Sequence, residues 1–194
     1  AHGSLTVGVG ACRGDTILIR GGTSSIGLAC IVLAKQQGMT VIATTRNPDR
    51  TERLHATGAD HVVVDSGRIA DTVRRIVPDG VNGAVELIGT GTLPDTLRAT
   101  AVHGTVSFSG MLSDVWTIPD FYPMAVIPNR VRLTAYSGEA SDLPASVLQA
   151  FLDTVAAGTV QVPIAKVYAL EEIVQAHRDM EDGIRSGKLV VTIR

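Results

Sequence analysis

Residues 15–38 read DTILIRGGTSSIGLACIVLAKQQG, and the order of residue types in this stretch decides the fold. Residues 15–20 are a short β-branched run that stops at Gly21-Gly22, and residues 26–37 then carry apolar side chains at helical spacing until Gly38 ends them. The reading is strand, glycine turn, helix. Working outward, residues 40–45 (TVIATT) read as a second strand, 48–56 as a polar helix opening on Pro48, and 61–65 (HVVVD) as a third strand. Residues 69–77 read as a helix, 84–88 (AVELI) as a fourth strand, 93–102 as a helix, 105–108 (TVSF) as a fifth strand and 131–136 (VRLTAY) as a sixth.

Near-continuous apolar strands alternating with helices point to a parallel sheet covered on both faces, because short crossovers force right-handed βαβ units. The expected architecture is α/β, a doubly wound six-stranded parallel sheet. Between the fifth and sixth strands, residues 111–129 form a proline-rich loop holding Trp116, Phe121 and Tyr122. Aromatics gathered in a loop line a pocket or a contact, or fold back over the core; both readings stay open. After residue 137 the pattern changes. A helix over 145–157, a strand over 165–170, a helix over 171–184 and a strand over 188–193 do not extend the βαβ rhythm.

Composition narrows the function classes. The 194 residues are 45% hydrophobic and 19% charged, enough for a packed core and contrary to intrinsic disorder. With 17 Lys+Arg against 19 Asp+Glu the formal charge is −2, so no net positive field exists to hold nucleic acid or an acidic membrane. The only cysteines, Cys12 and Cys30, form no CxxC motif and have no histidine at zinc-site spacing, so neither a disulfide framework nor a metal is expected and a reducing, cytoplasmic setting fits. No stretch has the length of a membrane span or the pattern of a signal peptide. The chain opens on Ala1 and reaches a clear strand at residue 15, as a piece of a longer protein would.

The turn carries the chemistry. In a dinucleotide-binding fold the first glycine permits the tight strand-to-helix turn, the second lets backbone approach pyrophosphate and the third lets the helix pack on the sheet. Gly22 and Gly27 fill the first and third places here and Ser24 replaces the second. Ser24 and Ser25 offer hydroxyl donors beside the backbone amides of the helix N-terminus, whose dipole favours an anion. The end of the second strand then discriminates between cofactors. An acid there would bind the ribose 2′-hydroxyl of NAD, but this chain has Thr45, followed by Arg46 and then Arg50. Two guanidiniums there favour NADP(H), whose 2′-phosphate they would clamp with charge-assisted hydrogen bonds. The alternative for each arginine is a solvated surface charge.

Other residues add little. His2, His55, His61, His103 and His177 are scattered, without metal-ligand spacing. Cys30, on the apolar side of the first helix, reads as a small hydrophobe. Glu86 interrupts a strand that should be central; it orients the cofactor or is a hydrogen-bonded structural carboxylate. No GxSxG elbow and no Tyr-x-x-x-Lys pair occurs, which argues against acyl transfer and short-chain reduction.

The run Gly14 to Gly27, then Gly58-Ala59-Asp60-His61-Val62, then Gly187-Lys188-Leu189-Val190-Val191, resembles the cofactor half of a quinone oxidoreductase of the zinc-independent, zeta-crystallin-like branch of the medium-chain dehydrogenase/reductase superfamily. The resemblance implies a Rossmann domain over residues 1–137. Residues 138–194 would be an α+β segment returning to a GroES-like substrate domain whose first part is absent. It implies that Gly22, Thr23, Ser24, Ser25, Ile26 and Gly27 form the pyrophosphate turn, that Thr45, Arg46 and Arg50 meet the adenosine, and that Gly89, Phe108, Ser109 and Gly110 line the nicotinamide side. It further implies NADPH-dependent reduction of a small-molecule electron acceptor, a quinone or α,β-unsaturated carbonyl, without a metal. No catalytic acid or base is identified, and the segment alone should turn over poorly. A homodimer through the edge strand 131–136 is also implied. Competing readings are a zinc alcohol dehydrogenase cofactor domain, a non-catalytic nucleotide-binding module and a flavodoxin-like module.

Overall fold

The computed structural model describes residues 1–183 and 187–193, which separate into two compact units, Ala1–Pro144 and Ala145–Arg194. The first unit is built on β1 (Thr16–Arg20), α1 (Ser25–Gln36), β2 (Thr40–Thr45), α2 (Thr51–Thr57), β3 (His61–Val64), α3 (Ala70–Ile76), β4 (Val81–Glu86), α4 (Leu93–Ala99), β5 (Thr100–Phe108), α5 (Pro123–Val126) and β6 (Arg132–Ala135). The six strands form one sheet in the order β3-β2-β1-β4-β5-β6, and every neighbouring pair runs parallel. This is the doubly wound Rossmann arrangement, with helices on both faces.

Alternation along each strand explains the two faces. Ile17 and Ile19 of β1 join Val41 and Ala43 of β2 in a core with Cys30, Ile31 and Ala34 of α1 and Leu54 of α2. Leu18, Ile42 and Ala84 point the other way, into a second core with Val73 of α3 and Leu97 of α4. The first core also takes in Leu5 and Val9 from a π-helical turn, Ser4–Val9, whose sequence SLTVGV gave no helical signal. Burying those two side chains against the sheet overrides the poor helix propensity of Gly8 and the β-branched residues.

Several boundaries differ from expectation. The fourth strand covers Val81–Glu86 rather than 84–88, because Val81 pairs with Thr100 while Leu87 and Ile88 leave the ladder. The helix expected to reach residue 102 stops at Ala99, and β5 begins at Thr100 rather than 105. Its register slips between Val81 and Gly83, where His103 adopts φ 69°. The polar helix expected at 48–56 opens as a 3-10 turn, Pro48–Arg50, before α2. Trp116 and Tyr122 are 68% and 60% exposed, so neither folds back over the core.

The second unit holds α6 (Ala145–Ala156), β7 (Ile164–Ala169), α7 (Ile173–Glu181) and β8 (Lys188–Thr192). Its strands pair with each other in parallel, with α7 between them in sequence. The tail therefore contains a βαβ unit of its own, although it does not extend the large sheet. The expected end of the last helix, Ile184, lies outside the described residues.

Candidate cofactor site

The strand order reverses between β1 and β4, and a crevice at the carboxyl ends of such neighbours is where a doubly wound sheet takes its ligand. The turn from β1 to α1 forms one wall. It is pinned to β2, since Gly22 N donates to Thr44 O at 3.0 Å and Gly21 N to Thr44 Oγ1 at 3.1 Å. Gly27 makes the entry of α1 possible. A Cβ there would lie 2.3 Å from Gly21 O and 2.8 Å from Gly22 C, both backbone atoms.

Ser24 has a different task from the one expected. It is the N-cap of α1, its Oγ accepting from Gly27 N at 3.0 Å and donating to Gly21 O at 2.8 Å. Its single proton is spent, so it offers no hydroxyl donor to a phosphate. The donors that remain are backbone groups. Among the described residues, the amides of Ser25 and Ile26 have no acceptor, as the first turn of a helix requires, and both residues are exposed. Thr23 is half-buried.

At the end of β2, Thr45 is buried and its hydroxyl is also committed, accepting from Asn47 N at 3.1 Å and donating to Asn47 O at 3.0 Å. Thr45 shapes the following turn instead of presenting a ligand. Arg46 is exposed and Arg50 half-buried, and among the described residues neither guanidinium has an ion pair or hydrogen bond.

The opposite wall comes from the segments after β4 and β5. A Cβ on Gly21 would meet Leu87 Cβ and Ile88 Cδ1, each at 3.1 Å, which measures how closely the two turns abut. Gly110 backs against Leu87, and Leu112 N and Ser113 N donate to Leu87 O and Ile88 O. Ser109 N donates to Glu86 O at 2.9 Å and its hydroxyl lies 2.9 Å from Ser107 Oγ. Gly89 is buried with φ 137°, while Phe108 packs into the α3–α4 core.

Beneath this wall lies a charged cluster of which the sequence reading singled out only Glu86. Arg20, fully buried at the end of β1, donates Nε and Nη2 to Asp65 at 2.8 and 2.9 Å, and Nη1 to Asp95 Oδ2, Thr96 Oγ1 and Thr92 O. Burial opposes its charge, yet Asp65, Glu86 and Asp95 hold its pKa above the ordinary value. Glu86 is equally buried, and desolvation raises its pKa against the pull of Thr96, Arg20 and the Gly89 and Ile88 amides. Burial also pushes Asp95 upward, but the Ile69 amide, Arg98 and Arg20 outweigh it and hold Asp95 below the ordinary carboxylate range. The available signal was an arginine closing a strand destined for burial, paired in register with Glu86.

The conspicuous sequence elements resolve differently. Asp60 of the GAD element accepts Lys35 Nζ at 2.8 Å and Val41 N at 2.7 Å, so it fastens α1 to β2 and touches no crevice residue. Cys30 is buried and its thiol is pushed up to about 11 by desolvation. An open cleft of about 410 Å³ over α3 and α4 is lined by Arg68, Ala70, Asp71, Asp95 and Arg98, and none of the turn or crevice residues borders it. Among the described residues no group of three or more His, Cys, Asp or Glu could hold a metal ion, and no helix is long and apolar enough to cross a membrane.

Comparison with known proteins bears on the family and the fold. Residues 57–191 match the family described as zinc-binding dehydrogenase. A phthioceranic/hydroxyphthioceranic acid synthase of Mycobacterium bovis is 32% identical over 200 residues, spanning 93% of this chain and 9% of the synthase. The quinone oxidoreductase of Mus musculus is 25% identical over 94% of this chain and 56% of its own length. The solved structure of a mycobacterial quinone oxidoreductase superposes with a TM-score of 0.84 at 25% identity, over 99% of this chain and 60% of that one. The chain thus spans little more than half of these oxidoreductases. It belongs to the zinc-binding dehydrogenase family, as a quinone-oxidoreductase-like member of the medium-chain dehydrogenase/reductase superfamily.

Proposed function

We propose that this chain is the NADPH-binding portion of an oxidoreductase that reduces a quinone or an α,β-unsaturated carbonyl. The observation that carries the reading is the pair of guanidiniums, Arg46 and Arg50, unpartnered among the described residues and following a β2 that ends without a carboxylate. The residues fit the cofactor. Gly27 admits the close turn, two helix amides stand unspent for a pyrophosphate, and the two arginines supply charge-assisted donors for a 2′-phosphate. The nicotinamide ring, once bound, supplies the hydride. This chain's part would be to bind and orient it, with Ile88 and Leu112 standing beside Gly21 on one side. Residues 138–194 would serve the substrate domain, the assembly would be a homodimer through β6 and the setting cytoplasmic; a monomer by light scattering of the longer protein would remove the dimer.

Titration of the chain with NADPH and NADH tests the reading. NADPH should bind tighter by about tenfold or more, the value of one charge-assisted contact, and Arg46→Asp should reverse the order. Equal affinity for both cofactors ends the 2′-phosphate argument. The family's description favours a second reading, a zinc-dependent alcohol dehydrogenase whose metal ligands lie elsewhere in the longer protein. Stoichiometric zinc in that protein would select it.

A further inference from the structure

We propose that Glu86 is a positioning residue for the nicotinamide end of the site: its buried carboxylate, tied to Arg20 through Thr92 and Thr96, fixes the turn of Leu87, Ile88 and Gly89 that faces Gly21 across the crevice. The inference rests on the NADPH reading. Glu86 Oε1 accepts three donors, Ile88 N at 2.7 Å, Gly89 N at 3.1 Å and Thr92 Oγ1 at 3.0 Å, while Oε2 accepts Thr96 Oγ1 at 2.5 Å. Arg20 Nη1 reaches the same two threonines, donating to Thr92 O at 3.1 Å and Thr96 Oγ1 at 3.0 Å. The turn's other backbone groups are satisfied elsewhere. Leu87 N donates to Arg20 O, Leu87 O and Ile88 O accept from Leu112 and Ser113, and Gly89 O accepts from Thr92 and Leu93.

Only the Ile88 and Gly89 amides therefore depend on a side chain, and one carboxylate oxygen holds both. Removing it leaves two donors to find new partners at a point where Gly89 has φ 137° and its Cα faces Ser113 closely enough that a Cβ would lie 2.4 Å from Ser113 Oγ. The turn would then move, and with it the side of the crevice nearest Leu112 and away from Arg46. A purely structural carboxylate would instead loosen the whole domain. The two roles separate by ligand.

The experiment measures binding of NADPH and of adenosine 2′,5′-bisphosphate, which fills only the adenosine end, to the wild-type chain and to Glu86→Ala, Glu86→Leu and Glu86→Gln. Leucine retains volume without an acceptor, should alanine fail to fold. Glutamine keeps Oε1, and its amide can donate to Thr96, whose own proton then turns to Thr92 O. The expected result is that Ala and Leu weaken NADPH by about tenfold or more, as two lost amide bonds imply, with the bisphosphate nearly unchanged and Gln close to wild type. Unchanged NADPH affinity in Ala and Leu, or parallel loss of both ligands, overturns the positioning role. A wild-type chain that binds neither ligand overturns the NADPH reading, and this inference with it.

Discussion

Replacing Gly27 by alanine tests whether α1 enters the sheet as closely as the phosphate turn requires. Real Cβ atoms stay beyond about 3.0 Å of such neighbours, whereas this one would lie 2.3 Å from Gly21 O and 2.8 Å from both Gly22 C and Gly22 Cα. The obstacles are backbone atoms pinned to β2 by Gly21 and Gly22, so no side chain can swing aside and α1 itself has to shift. Overpacking of this kind costs about 1–3 kcal/mol, and the rigid setting puts it near the upper end. Alanine recovers up to about 1 kcal/mol of helix propensity, leaving a net loss of about 1–2 kcal/mol. For a domain of this size that lowers Tm by about 2–8 °C. The same shift carries the Ser25 and Ile26 amides with it, so NADPH should bind about tenfold more weakly. Gly91→Ala is the control, because a Cβ at Gly91 meets nothing within 4 Å. Thermal unfolding by circular dichroism and cofactor titration read both effects. If Gly27→Ala matches Gly91→Ala in melting and in affinity, the close-entry argument is wrong.

Arg20→Met leaves Asp65 and Asp95, whose side chains are 6% and 7% exposed, without their buried partner. Such a break costs about 3–5 kcal/mol, to be read by urea unfolding; a change below about 1 kcal/mol would refute the cluster's role. Protonation should act with opposite signs at two carboxylates. Burial pushes Asp60 upward, but Lys35 and the Val41 amide outweigh it and depress its folded pKa, so its contribution is present above the unfolded value of 3.8 and lost as pH falls through the lower folded value. The stability difference between wild type and Asp60→Asn should therefore shrink in acid, from an amplitude of about 1 kcal/mol or less because the pair is one-third exposed. Desolvation raises the folded pKa of Glu86, so its contribution is full below 4.5 and lost as pH rises. Wild type relative to Glu86→Gln should lose stability upward from there, and a difference that grows with pH would reverse the assignment.

The sheet was legible because its strands obey one rule. β2 matches its expected bounds residue for residue, since every residue of Thr40–Thr45 but Ala43 is β-branched and the run is flanked by Gly38 and a polar turn. The failures occur where apolar character and strand pairing part company. Leu87 and Ile88 are apolar because they wall the crevice, and they leave the ladder; Asn82 and Gly83 look unlike a strand and lie within one because β1 and β5 flank them. Thr100, Ala101 and Val102 suit a helix end or a strand start equally, and the pairing of Thr100 with Val81 decides. Such partners are far apart in sequence, and local patterns carry no information about them.

At the site, residue identity proved less informative than the fate of each donor. Ser24 stands where a phosphate ligand was expected and spends its proton on Gly21 O; Thr45 does the same with Asn47 O. Arg20 directly precedes the turn and would look like a phosphate ligand, but its ε and both η nitrogens are directed to Asp65, Asp95, Thr92 and Thr96. It also shares its buried surroundings with three carboxylates, so any attraction it offers an anion is already offset. If the chain takes NADPH as proposed, selection of a phosphorylated adenosine would fall to cations whose donors are unspent. Among the described residues Arg46 and Arg50 meet that condition while the chain as a whole carries a formal charge of −2, so on the proposed reading recognition would depend on where two guanidiniums stand and not on the sum of charges.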